Sequence, residues 1–154
     1  MREILFRGKR IDNGDWVCGY YVSAAARECI LQSLGCLWND IIPETVGQYT
    51  GLTDKNGKKI FEGDIFKFPD EVFESYYTSC GTEYNSWEVE NYGVVGFCEY
   101  SGRFDFIKYK FNENSVEADL HENNSLDFVE FVSELEIIGN IHDNPELLKE
   151  GAEV

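Results

Sequence analysis

Two histidines, five cysteines and 29 acidic side chains are the residues of this 154-residue chain with the plainest chemical potential. A hydrolytic triad needs a nucleophile, a base and an orienting acid. His121 stands in a polar run and His142 beside a helix-start signal, and neither is flanked by a nucleophile motif such as G-x-S-x-G. A zinc site usually shows short paired spacings, yet Cys18, Cys29, Cys36, Cys80 and Cys98 include no C-x-x-C, and the histidines form no H-x-x-x-H. Their odd number and the absence of a secretion signal read as free thiols in a reducing compartment, several packed as small apolar groups. Carboxylates are too numerous for any one pair to point to glycosidase chemistry. The sequence therefore names no catalytic, cofactor-binding or metal residue, and the expectation is a protein that is not an enzyme and carries no cofactor.

Three other clusters invite a binding role. Asp54-x-Asn56-Gly57 resembles the start of a calcium loop, but its glycine falls at loop position 4 rather than 6, and position 12 is Ile65 rather than a bidentate Glu. A tight turn explains it better, because Asn and Gly tolerate the left-handed region and Asp can accept from the backbone ahead of it. Lys55, Lys58 and Lys59 lack the G-x-x-x-x-G-K-[ST] frame of a phosphate loop and read most simply as the wet tip of a hairpin, with a local anion contact as the alternative. Tyr76, Tyr77 and Tyr84 read as half-buried rings with hydroxyls at the rim, or else as a binding surface.

The net charge of −16 is distributed unevenly. Residues 1–68 hold nine basic and nine acidic residues, whereas residues 69–154 hold four basic and twenty acidic. Displacing counterions from phosphates takes Lys and Arg, so direct nucleic-acid binding is disfavoured. An acidic surface of this kind is either a solvated face or a surface for a basic partner. No apolar run is long enough to span a membrane, and "MREILFRGKR" has no apolar signal core, so a cytoplasmic location is expected.

Abundant Tyr, Phe, Val and Ile, with scarce Pro, favour β structure. Glu3 to Gly8 and Trp16 to Val22 read as a hairpin around Asn13-Gly14, a type I′ signal. "ARECILQSL" is strand or short helix, and "ETVGQYTGL" is a strand. Gly63-Asp64 marks a bend into "DIFKF", with Phe66 and Phe68 on one face, Ile65 and Lys67 on the other, and Pro69 ending it. Residues 70–88 read as a strand–loop–strand excursion or a mobile loop. "ENYGVVGFCEYSGRFDFIKYKF" is a hairpin turning at Ser101-Gly102, with mixed faces that suggest a bulge. "NENSVEADLHENNS" reads as a loop. "LDFVEFVSEL", with Leu126, Val129 and Val132 at helical spacing, fits a helix or a strand. "ELEIIGNI" is a strand, and Asn144-Pro145 starts a short helix to about Lys149.

"QYTGLTDKNGKKIFEGDIFKF", together with the opening "MREILFRGKR" and the closing "EIIGNIHDNPELL", resembles the YopX family of small bacteriophage- and prophage-encoded proteins. The carrying motifs are Y-T-G-L-x-D-K-N-G-K-x-I-F-E-G-D-I and I-G-N-I-x-x-N-P-E-L-L. These blocks cover roughly a third of the chain and leave out the stretch from about Pro69 to Phe131. The resemblance implies a mainly β fold and the cytoplasm of a bacterial host, and it transfers no catalytic residue.

The expectation is one mainly β domain over 1–154, with an acidic, variable middle at about 69–131. A small SH3-like barrel, or two packed small sheets, is closed by a short C-terminal helix. Its expected role is a non-enzymatic protein-interaction module with an unidentified, basic protein partner. The alternative is an acidic DNA mimic that occupies a nucleic-acid-binding protein. An aromatic content of 15% also invites contacts between copies.

Overall fold

The computed structural model describes residues 3–24, 27–32, 37–110 and 128–148. Ten strands dominate it: β1 (Phe6–Lys9), β2 (Trp16–Ala24), β3 (Arg27–Gln32), β4 (Leu37–Asp40), β5 (Gly47–Thr53), β6 (Lys59–Phe61), β7 (Asp64–Thr78), β8 (Gly81–Cys98), β9 (Arg103–Lys110) and β10 (Ile137–Asn140). One α-helix, α1 (Phe128–Glu134), precedes β10, and 3-10 turns lie at Pro43–Thr45 and Pro145–Leu148. The mainly β expectation holds, with a short helical turn near the C-terminus.

The strands form two open antiparallel sheets, ordered β4-β3-β2-β1-β5-β6 and β10-β7-β8-β9. The expected closed barrel is absent from the described residues. Closure needs strands of matched length and stagger, and β7 and β8 far outrun their neighbours. The first meander curls only far enough for Arg10 to bridge Ile41.

The β1–β2 hairpin pairs Lys9 with Trp16, so its connection is six residues rather than a two-residue type I′ loop. Arg10 donates its N–H to the Asp15 carbonyl and Gly14 takes a φ of 75°. "ARECILQSL" resolves as the strand β3. Pro69 does not end β7; it pairs in register with Glu90. β10 accompanies β7 only as far as Phe66, so Pro69 lies where one side of β7 is an open edge, the place a residue without an N–H is tolerated. Residues 70–88 form the expected strand–loop–strand excursion rather than a mobile loop: the two strands pair in register as a long ribbon that turns at Ser79-Cys80.

The core lies on one face of the second sheet. Phe66 and Phe68 from β7, Val95 from β8, and Phe104 and Phe106 from β9 meet Phe128 and Val132 of α1, with Ile60 and Ile137 completing the cluster. Phe106 makes edge contacts with Phe66, Phe128 and Phe131 and stacks on Phe68. The expected bulge is present where pairing steps from Val94↔Lys108 to Val95↔Phe106, leaving Ile107 as the extra residue. It keeps Phe104 and Phe106 buried while Ile107 is exposed. The apolar stripe of α1 is Phe128, Phe131, Val132 and Leu135, an i, i+3, i+4, i+7 pattern. Val129 faces outward, and Leu126 lies outside the described residues. Ile65 shares a face with Lys67 yet is fully buried. The Asn144 side chain accepts from the Asn140 N–H at 3.4 Å, which joins the last strand to the turn beyond it.

Candidate functional site

Asp54 is a clasp. Its buried carboxylate accepts from the N–H groups of Asn56 and Lys58 at 2.9 Å through Oδ1, and from the Ile137 N–H at 3.3 Å through Oδ2. Gly57 holds a φ of 80° and donates to the Asp54 carbonyl. Burial pushes the Asp54 carboxyl up, but these backbone donors outweigh it and its pKa is lowered. Both oxygens are thus taken by the protein, and the calcium-loop geometry has no ligand to offer. The stretch is a scaffold that ties the β5–β6 turn to the last strand. Lys55 pairs with Glu136 at 2.9 Å and Lys59 with Glu3 at 2.7 Å, while Lys58 makes no ion pair among the described residues. All three lysines are exposed, as a hairpin tip requires.

Asp64, at the neighbouring bend, closes a second polar centre. Gly63 takes a φ of 83° and Asp64 Oδ2 accepts from the Phe61 N–H at 2.8 Å. Its Oδ1 pairs with Arg7 Nη1 at 2.7 Å, the side chains being 1% and 12% exposed. Burial raises the Asp64 carboxyl by more than Arg7 and Phe61 lower it. Arg7 donates also to the Glu62 carbonyl and lies between the rings of Trp16 and Phe61, 4.7 and 5.0 Å from their centroids. The Trp16 indole N–H donates to Asp143 Oδ2 at 2.7 Å, and Lys9 pairs with the same carboxylate. Burial raises Asp143, but Lys9, Asn140 and Trp16 bring it down to about 2. His142 tilts against Trp16, and burial with Arg7 and Lys9 lowers its pKa. No described hydrogen bond joins it to a cysteine or serine; His121 lies outside the described residues.

The thiols are scattered. Cys29 is buried and donates to Asp40, Cys98 is half-buried, and Cys18 and Cys80 are exposed. Packing thus absorbs fewer of them than expected, and Cys36 is outside the described residues. Among the described residues no group of three or more His, Cys, Asp or Glu is arranged to hold a metal ion.

The second feature is the arm. Past Phe66 the β7 strand loses β10, and β8 gains β9 only from Tyr92, so among the described residues the rows between pair with each other alone. Fourteen register pairs run from Ile65↔Val94 to Thr78↔Gly81. Residues 70–90 contain six acidic residues and no Lys or Arg. Tyr77 and Tyr84 share one face near the tip and are 91% and 72% exposed, while Tyr76 stands opposite Glu83 on the other. The expected half-burial holds for Tyr76, 44% exposed, and fails for Tyr77 and Tyr84, which no third strand or helix among the described residues reaches. This presentation was invisible in the sequence, where alternation alone did not reveal that both faces of the ribbon are wet near its tip, from Ser75 to Ser86.

The signature of the YopX family, described as YopX protein, matches residues 19–149. The chain belongs to the YopX family. The YopX match runs through the acidic middle that the motif blocks had left out, and it begins after the opening "MREILFRGKR", so Arg7 and Trp16 lie ahead of it. No curated protein matches the chain significantly. Among the described residues no helix is long and apolar enough to cross a membrane.

Proposed function

We propose that this YopX protein is a non-enzymatic interaction module, of phage or prophage origin and acting in the host cytoplasm, whose β7–β8 arm grips a basic protein partner. The observation that carries this reading is the exposure of Tyr77 and Tyr84 on a projecting ribbon free of cations. Tyrosine supplies large contact area at low entropic cost and favours the cations of Arg and Lys, while carboxylates steer a basic partner to it. A DNA mimic would set carboxylates in rows on one face, but Glu83 lies on the face opposite to Glu88 and Glu90. The interaction module is therefore preferred.

The test is affinity capture from phage-infected host lysate with three baits. These are the intact chain, Tyr77→Ser/Tyr84→Ser, and a variant in which an Asn-Gly turn replaces residues 72–87. A basic protein bound by the intact chain and lost by both variants is expected, with part of the binding surviving high salt. Binding that persists in both variants refutes the arm as the contact. Complete loss of the partner at high salt, with the tyrosines dispensable, moves the reading to the mimic.

A further inference from the structure

The space around Arg7 forms a cleft of about 430 Å³ between the two sheets, walled by Trp16, Val17 and Cys18 on one side and Ile137 and Ile138 on the other. That volume suits a small organic molecule. We propose that this cleft binds a small organic oxyanion, a carboxylate or phosphate carried on an apolar body.

The hydrogen-bond inventory sets the sign of the ligand. Asp143 is filled by Lys9, Trp16 and the Asn140 side-chain amide. Asp64 is filled from Arg7 and the Phe61 N–H. The Asn140 side-chain oxygen Oδ1 accepts from the N–H groups of His142 and Asp143. The donors are what remain. Lys58 lines the cleft with no ion-pair partner and Arg7 Nε is buried with no acceptor, both among the described residues. An orphaned charged donor is costly and an anion relieves it. Among the lining side chains Arg7 and Lys58 balance Asp64 and Asp143, so the cleft is locally neutral within a chain of net charge −16, and the orphaned Nε sets its preference. A second concavity of similar volume, beside Arg10, Arg27 and Trp38, lacks this feature, because Arg10 is paired to Asp12 and Arg27 to Asp40.

Trp16 covers the guanidinium, so an anion reaching Nε shifts the indole, and the Trp16 indole N–H resonance reports it separately from those of Trp38 and Trp87. The experiment is an NMR titration of the full chain with phenyl phosphate, benzoate and inorganic phosphate, repeated on Lys58→Gln. Lys58 is exposed and Gln keeps most of its length, so that variant should fold, and its amide spectrum checks that it does. Saturable movement of the Trp16 signal by phenyl phosphate, benzoate or both is expected, with affinity falling about tenfold or more in Lys58→Gln, the equivalent of one charge-assisted hydrogen bond. The preferred probe identifies the headgroup. The proposal is overturned if neither probe saturates, if Lys58→Gln binds equally well, or if inorganic phosphate binds as tightly as phenyl phosphate.

Discussion

Replacing Asp54 by Ala removes three acceptor contacts and adds no bulk. The Ile137 amide is buried, so orphaning it costs about 1–3 kcal/mol. The Asn56 and Lys58 amides belong to exposed residues, where water takes over as acceptor, and each loses about 0.5–1.5 kcal/mol. The sum is a loss of about 2–6 kcal/mol, large for one polar residue. Urea unfolding followed by tryptophan fluorescence measures it. The pH dependence gives a second check. The native pKa of Asp54 is lowered, so its charge contributes stability that is fully present above the unfolded value of about 3.9 and is lost as the pH falls through the native one. The gap between wild type and Asp54→Ala should therefore narrow in acid, and Asp54→Asn should lack that part of the pH slope. A loss below about 1 kcal/mol at neutral pH, or a gap that stays constant into acid, would falsify the clasp.

Arg7→Met should destabilise by about 3–5 kcal/mol by leaving Asp64 buried and unpaired, and Arg7→Met/Asp64→Leu should recover much of that loss in the same urea assay. Phe106→Ala should cost about 3–5 kcal/mol, because it empties the centre of the aromatic cluster. Gly93→Ala should cost about 1–3 kcal/mol, since its Cβ would lie 2.7 Å from the buried Phe106 ring. Gly96→Ala would bring its Cβ to 2.4 Å from Ile107 Cδ1 and 2.7 Å from its Cγ1, but Ile107 is exposed and has solvent to turn into, so the cost should be smaller, and thermal melts compare the two. Acidification from about 4 toward about 2 should shift Trp16 emission as Asp143 protonates, and Asp143→Asn should abolish that transition.

Local chemistry was legible where a residue acts on its own backbone. The Asp54 turn, the Gly63-Asp64 bend and the Ser101-Gly102 turn follow from side chains reaching a few residues away. The strand nature of β2, β5 and β10 follows from composition and alternation. What the sequence hid depends on distant partners. Pro69 reads as a terminator until one learns that β10 stops at Phe66. The stripe of α1 could not be separated from strand alternation, since Phe128 through Val132 satisfies both periods. The cleft was missed because Arg7, Trp16, Asp64 and Asp143 are assembled from opposite ends of the chain. The arm's exposed tyrosines were missed because alternation says which residues share a face, not whether anything covers it.

The bond between Ile137 and Asp54 spans 83 residues, and this has a consequence for the order of events on the ribosome. At about 5–20 residues per second, the Asp54 turn waits roughly 4–17 s for the strand that completes it. During that interval Phe66 and Phe68 have neither α1 nor β10 over them, although the β7–β8 ribbon is sequence-local and can pair at once. The strongly anionic segment being synthesised meanwhile keeps nascent chains apart by mutual repulsion. Neutralising its charge should therefore lower the yield of soluble protein even where the finished fold is unaffected.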